Sequence, residues 1–183
     1  MKASGIGPQA SAREPKGESP KPKVGISRCL LGDAVRYDGT DRRADDVLQD
    51  IGGHVEWVSV CPEVEIGMGT PREPIQLVAR PDGVLSGTQR VRMIGVESGK
   101  DWTDRMTAWA RDRVRELETL GVSGYIFKAR SPSCGIGDVP GLFAHAVIEA
   151  IPDLPVADEG QLADPRARAD FLQRVLAFQD SRV

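Results

Sequence analysis

Residues 101–127 read DWTDRMTAWARDRVRELETLGVSGYIF, a helical pattern that runs directly into an apolar strand. Trp102, Met106, Trp109, Ala110, Val114, Leu117 and Leu120 recur at three- and four-residue spacing, so one face of a helix over 101–120 is apolar. Asp101 suits the start, where a carboxylate takes up a free first-turn N–H. Gly121 suits the stop, where glycine turns left-handed without strain. Tyr125-Ile126-Phe127 then reads as a buried strand. The Trp and Met stripe reads as core packing rather than a cofactor box.

The same alternation extends in both directions. Upstream, Val24-Gly25-Ile26-Ser27 predicts a first buried strand, and His54 to Val60, β-branched and alternating, a second. Arg43 to Ile51 between them can form a short helix. Ile75 to Arg80 and Val91 to Ile94 read as strands separated by a Pro81-Asp82-Gly83 turn. Downstream, Leu142, Phe143, Ala146, Val147, Ala150 and Ile151 predict a second amphipathic helix, stopped by Pro152. A third has Asp164 as cap and Pro165 at its first position, with Phe171, Leu172, Val175 and Leu176 facing inward. Strands alternating with helices predict a layered α/β domain with a largely parallel sheet, and ligands in such sheets sit outside the carboxyl ends of the strands.

The 183 residues, 40% hydrophobic and 28% charged, suit one globular domain over 24–183. Residues 1–23 are rich in Pro, Gly, Ser and Lys and carry five basic against two acidic side chains, the composition of a flexible tail. The rest carries a net charge of −6, which argues against broad duplex binding. No apolar run approaches the ~20 residues of a membrane span. No secretory apolar region stands at the N-terminus, so a cytoplasmic protein without disulfides is expected.

Three cysteines therefore need another reason. Their spacing (Cys29, Cys61, Cys134) contains no Cys-x-x-Cys pair and matches no zinc ribbon. Scattered cysteines are commonly inert core thiols. Yet each of these opens a loop after a predicted strand, where functional groups concentrate. A soft three-thiolate set suits an iron–sulfur cluster or zinc. With three thiolates a cubane keeps one iron open as a Lewis acid, and Glu63, two residues past Cys61, could activate water as a general base. A non-catalytic zinc or sensing module, or a metal-free enzyme with a cysteine nucleophile, fits the same residues.

Other candidates have plainer readings. Gly67-Met68-Gly69 reads as a turn rather than a phosphate loop, because Pro71 follows. His54 reads as structural, and His145 as exposed or pocket-lining. Arg36 and Asp38 either pair with one another or line a pocket. Lys128 and Arg130 either meet a phosphate or face water. Arg105, Arg111, Arg113 and Arg115 read as a solvated helix face.

Four segments together carry a family resemblance. Ser27-Arg28-Cys29-Leu30-Leu31-Gly32, Val35-Arg36-Tyr37-Asp38-Gly39, Cys61-Pro62-Glu63 through Thr70-Pro71-Arg72, and Ser131-Pro132-Ser133-Cys134-Gly135 resemble the thiouracil desulfidase family, from about Val24 to Phe178. The resemblance implies a Rossmann-like three-layer α/β fold with a 4Fe–4S cluster on Cys29, Cys61 and Cys134. It implies that Glu63 activates water and that Ser131 orients the substrate, with Arg36, Asp38 and Ser133 in the substrate site. The implied reaction is non-redox: oxygen replaces the sulfur of a thiolated uracil, and hydrogen sulfide leaves. The implied partner is a thiolated base, nucleotide or tRNA residue. Arg28 and Glu73 depart from the family pattern, which commonly has a small residue and proline there. The Glu65 to Gly69 segment and Leu154-Pro155-Val156 resemble the branch often fused to a second C-terminal domain.

Overall fold

A computed structural model describes residues 20–79 and 91–182. The elements follow as β1 (Lys23–Ser27), α1 (Asp45–Ile51), β2 (Glu56–Val60), α2 (Pro62–Glu65), β3 (Ile75–Ala79), β4 (Val91–Gly95), α3 (Thr103–Thr119), β5 (Val122–Phe127), α4 (Leu142–Ala150), β6 (Val156–Asp158) and α5 (Pro165–Asp180). Strands β2-β1-β5-β6 form a four-stranded sheet in that order, and every pairing in it is parallel. Strands β3 and β4 form a separate antiparallel pair, Ile75 opposite Gly95 and Ala79 opposite Val91. The layered, largely parallel α/β reading holds.

Two cores lie on opposite faces of the sheet. On one, Met106, Val114 and Leu117 of α3 and Phe143 and Val147 of α4 meet Tyr125 and Phe127 of β5. On the other, Val47 and Ile51 of α1 and Phe171 and Val175 of α5 meet Val24, Ile26 and Ile126. Residues 125 to 127 thus alternate between cores, and all of β5 is buried. Close packing explains two strand glycines. A Cβ on Gly25 would lie 2.1 Å from the Tyr125 ring, and one on Gly124 would lie 2.6 Å from Val175.

Helix α3 begins where Asp101 accepts the Thr103 N–H at 2.9 Å, although Trp102 stands at the cap position itself. Gly121 follows the helix at φ 70°, as a left-handed stop requires. Asp164 accepts the Arg166 N–H at the head of α5. Three residues placed on predicted apolar faces are instead exposed: Leu120, Leu176 and Ala150, the last residue of α4. Leu120 lies past the last turn of α3, and Leu176 is rotated off the Phe171–Val175 face of α5. His54 lies exposed in the turn before β2 rather than opening the strand. The tail through residue 19 and the Pro81-Asp82-Gly83 turn lie outside the described residues. Among the described residues no helix is long and apolar enough to cross a membrane.

Candidate metal centre and active site

The strand order fixes where a site can form. The chain runs outward from β1 to β2, then returns to β1's other side with β5 and continues to β6. The carboxyl ends of β1 and β5 therefore flank a topological switch point, the crevice where open α/β sheets take up ligands. A cavity of about 340 Å3 opens there, lined by Cys29, Cys61 and Cys134 together with Glu63, Ser131 and Ser133.

Each thiol is delivered by a different local device. Cys29 sits in a tight 3-10 turn, Arg28–Leu31, immediately after β1, and Gly32 closes the turn at φ 103°. Cys61 caps the short helix α2, whose first residue is Pro62, and its N–H donates to the Glu65 carboxylate at 3.0 Å. Cys134 rides on the loop between β5 and α4. There Ser131 Oγ accepts the Cys134 N–H at 3.1 Å, and Gly135 N–H donates to the Ser131 carbonyl at 2.8 Å. The free N–H groups of Phe143 and Ala144 at the start of α4 hold the Ser133 carbonyl. A Cβ on Gly141 would lie 2.4 Å from that carbonyl carbon, so only glycine lets the loop seat.

All three thiols are buried and free of disulfides. Burial pushes the Cys29 thiol up to about 11, with Cys61 adding to the effect. Burial also raises Cys61, and it holds Cys134 well above the usual thiol range, with Ser27 hydrogen bonding working the other way. Three adjacent groups that resist ionisation become thiolates together only when a cation compensates them. Among the described residues no three His, Cys, Asp or Glu side chains close on a point fit for one metal ion. The three soft donors stand instead around one cavity, an arrangement that fits a polynuclear cluster.

Glu63 lies beside Cys61 on α2 and is held from both edges. Its Oε2 accepts from Arg72 Nε at 2.8 Å and from Arg72 Nη2, and its Oε1 accepts from the Ser133 hydroxyl. Ser133 Oγ is in turn 3.4 Å from Ser131 Oγ. A partly buried row therefore runs from the Arg72 guanidinium through Glu63 and Ser133 to Ser131.

Arg36 lines the cavity and donates to Thr40 Oγ1 at 2.6 Å. Asp38 does not line it. It braces Arg36 at 3.4 Å and accepts from Thr40, which holds its carboxyl below the usual range. Lys128 lines the cavity but is paired with Glu159, and Arg28 is paired with Asp33. Arg130 lines the cavity from an unusual φ of 58°. His145 lies half-buried on α4, 3.5 Å from Glu149, and lines a second cavity between α3 and α4 rather than the one with the cysteines. Gly67 and Gly69, both at positive φ, form the expected turn.

Sequence reasoning assigned no role to two residues that the fold makes central. Arg72 is one, although an arginine following proline in a cysteine-bearing loop was a signal. Ser27 is the other. It is 2% exposed, and its Oγ accepts the Lys128 N–H at 2.9 Å, just past the last β1–β5 pair, Ile26 with Ile126.

Comparison with known proteins agrees with this geometry. The chain is 33% identical over 113 residues to the uncharacterised protein YbbK of Bacillus subtilis (strain 168), covering 61% of this chain and 72% of YbbK. Its fold is similar to the solved [4Fe-4S]-dependent thiouracil desulfidase TudS, with a TM-score of 0.58 and 27% identity, covering 82% of this chain and 97% of TudS. The family model for 2-thiouracil desulfurase matches residues 24–159, a span that contains all three cysteines, Glu63, Arg72 and both loop serines. The chain belongs to the 2-thiouracil desulfurase family.

Proposed function

We propose that this chain is an iron–sulfur desulfidase that exchanges the thiocarbonyl sulfur of a thiolated uracil for oxygen. The convergence of Cys29, Cys61, Cys134 and Glu63 on one cavity carries the reading. Family membership and the likeness to TudS support it. The working unit is a single Rossmann-like domain over 24–183, acting in the cytoplasm, where free thiols persist.

Cys29, Cys61 and Cys134 hold a 4Fe–4S cluster. When bound, the cluster supplies an iron without a protein ligand, a Lewis acid suited to a soft sulfur atom. Glu63 accepts a proton from water, whose oxygen attacks the thiocarbonyl carbon. The carbon–sulfur bond breaks, and both water protons end on sulfur, so thiocarbonyl and water give carbonyl and hydrogen sulfide with no net redox change. Ser133 keeps the carboxylate oriented, and Ser131 shapes the wall against which the ring lies. Arg36, braced by Asp38, contacts the polar rim of the substrate. A cavity of about 340 Å3 on an acidic body favours a small thiolated base or nucleotide over a wide tRNA surface.

The test is anaerobic cluster reconstitution followed by a sulfide assay with thiouracil, its nucleoside and nucleotide forms, and thiolated tRNA. The expected protein is brown and releases sulfide, and Glu63→Gln retains the colour while losing turnover. A colourless anaerobic preparation with stoichiometric zinc would contradict the reading.

A further inference from the structure

We propose that Arg72 is a positioning residue for the reaction, acting through Glu63. The proposal rests on the reading of Glu63 as the water-activating base. Arg72 is the more buried member of the pair, with its side chain 6% exposed against 12% for Glu63. Its guanidinium spends two donors on Glu63 Oε2 and directs Nη1 to the carbonyls of Val35 at 3.0 Å and Gly69 at 2.9 Å. Its own N–H donates to the Tyr37 carbonyl at 2.8 Å. The planar fork is thereby fixed by two chain segments before it meets the carboxylate.

This arrangement divides the labour between Glu63's two oxygens. The guanidinium occupies Oε2, and Oε1 is left to Ser133 and the cavity. The Val35 carbonyl also faces Cys61 Sγ at 3.9 Å, so one loop registers both the base and a cluster ligand. Arg72 further supplies the buried positive charge that a carboxylate needs beside three thiolates. An ammonium on a flexible stem cannot span Oε2 and both carbonyls, so Arg72→Lys is not conservative here.

The test is a double-mutant cycle in cluster-reconstituted enzyme: Arg72→Met, Glu63→Gln and the pair together, with Arg72→Lys alongside. Turnover, KM for thiouracil, iron content and melting temperature are read for each. In Arg72→Met we expect kcat to fall by about 100-fold or more, the scale of a lost general base. KM and iron content stay near the parent's, and the double variant is no slower than Glu63→Gln alone. Arg72→Lys loses most of the same turnover and carries the cycle if Arg72→Met does not fold. Parent-like kcat in loaded Arg72→Met, or a double variant slowed by the product of the two single losses, overturns the proposal. A loaded parent that releases no sulfide overturns the desulfidase reading and Arg72's role with it.

Discussion

Two serines two residues apart illustrate how finely the site divides its work. Ser133 Oγ donates to Glu63, whereas Ser131 Oγ accepts the backbone N–H groups of Ser133 and Cys134. Removing the first oxygen takes a hydrogen bond from a charged group, and removing the second strands two loop donors. Ser133→Ala is therefore expected to keep the fold and lower kcat about 10- to 100-fold, the equivalent of roughly 1.5–3 kcal/mol. Ser131→Ala is expected to cost about 1–3 kcal/mol of stability and to lower iron content, as measured by denaturant unfolding and iron assay. The Ser131 contacts are local to Ser-Pro-Ser-Cys-Gly, whereas the Ser133 role could not be read from that string because it depends on where Glu63 lies. Arg72 stayed illegible for the same reason: its partners at positions 35, 63 and 69 meet only after β1 and β2 have paired.

At the scale of elements, legibility followed length. Helix α3, with 17 residues, gave enough turns for its buried face to emerge from spacing, and Met106, Ala110, Val114 and Leu117 occupy it. Helix α2 has four residues and β6 has three, too few for any period to show. Leu120 and Leu176 mark the opposite error, apolar residues assigned to a face that the helix end or rotation does not present. The head of α3 makes a pH-dependent prediction. Asp101 accepts from Thr103 and pairs with Arg92 at 2.6 Å, and these partners hold its carboxyl down to about 2. An unfolded aspartate titrates near 3.9, so the stabilisation is complete above roughly pH 4 and disappears as pH falls through the folded value. Melting curves should show Asp101→Asn less stable than the parent at neutral pH and the two converging in acid. At the other end of the site, Gly141→Ala forces a Cβ against the Ser133 carbonyl. It should cost about 1–3 kcal/mol by overpacking and should reduce cluster loading, because the Cys134 loop is displaced.

For the whole molecule, alternating patterns specified an α/β domain with a parallel sheet, but no pattern specified the order β2-β1-β5-β6. That order is what turns three cysteines, 32 and 73 residues apart in sequence, into neighbours at one crevice. Placement of all three cysteines in loops after strands was legible; the sheet order that brings them together was not, and it required the crossover of α3 to return β5 beside β1. A cluster held there would tie together three loops from both halves of the sheet. Melting temperature should therefore rise on anaerobic loading and fall back when an iron chelator strips the cluster.

The central claim, that three thiols from three strands serve one catalytic cluster, is tested most directly by sulfide release from thiouracil under anaerobic conditions. The parent protein and the single variants Cys29→Ala, Cys61→Ala and Cys134→Ala would be compared after identical reconstitution. The account predicts sulfide release by the parent and its loss in every one of the three variants. Sulfide release at the parent's rate in any one of them would contradict it.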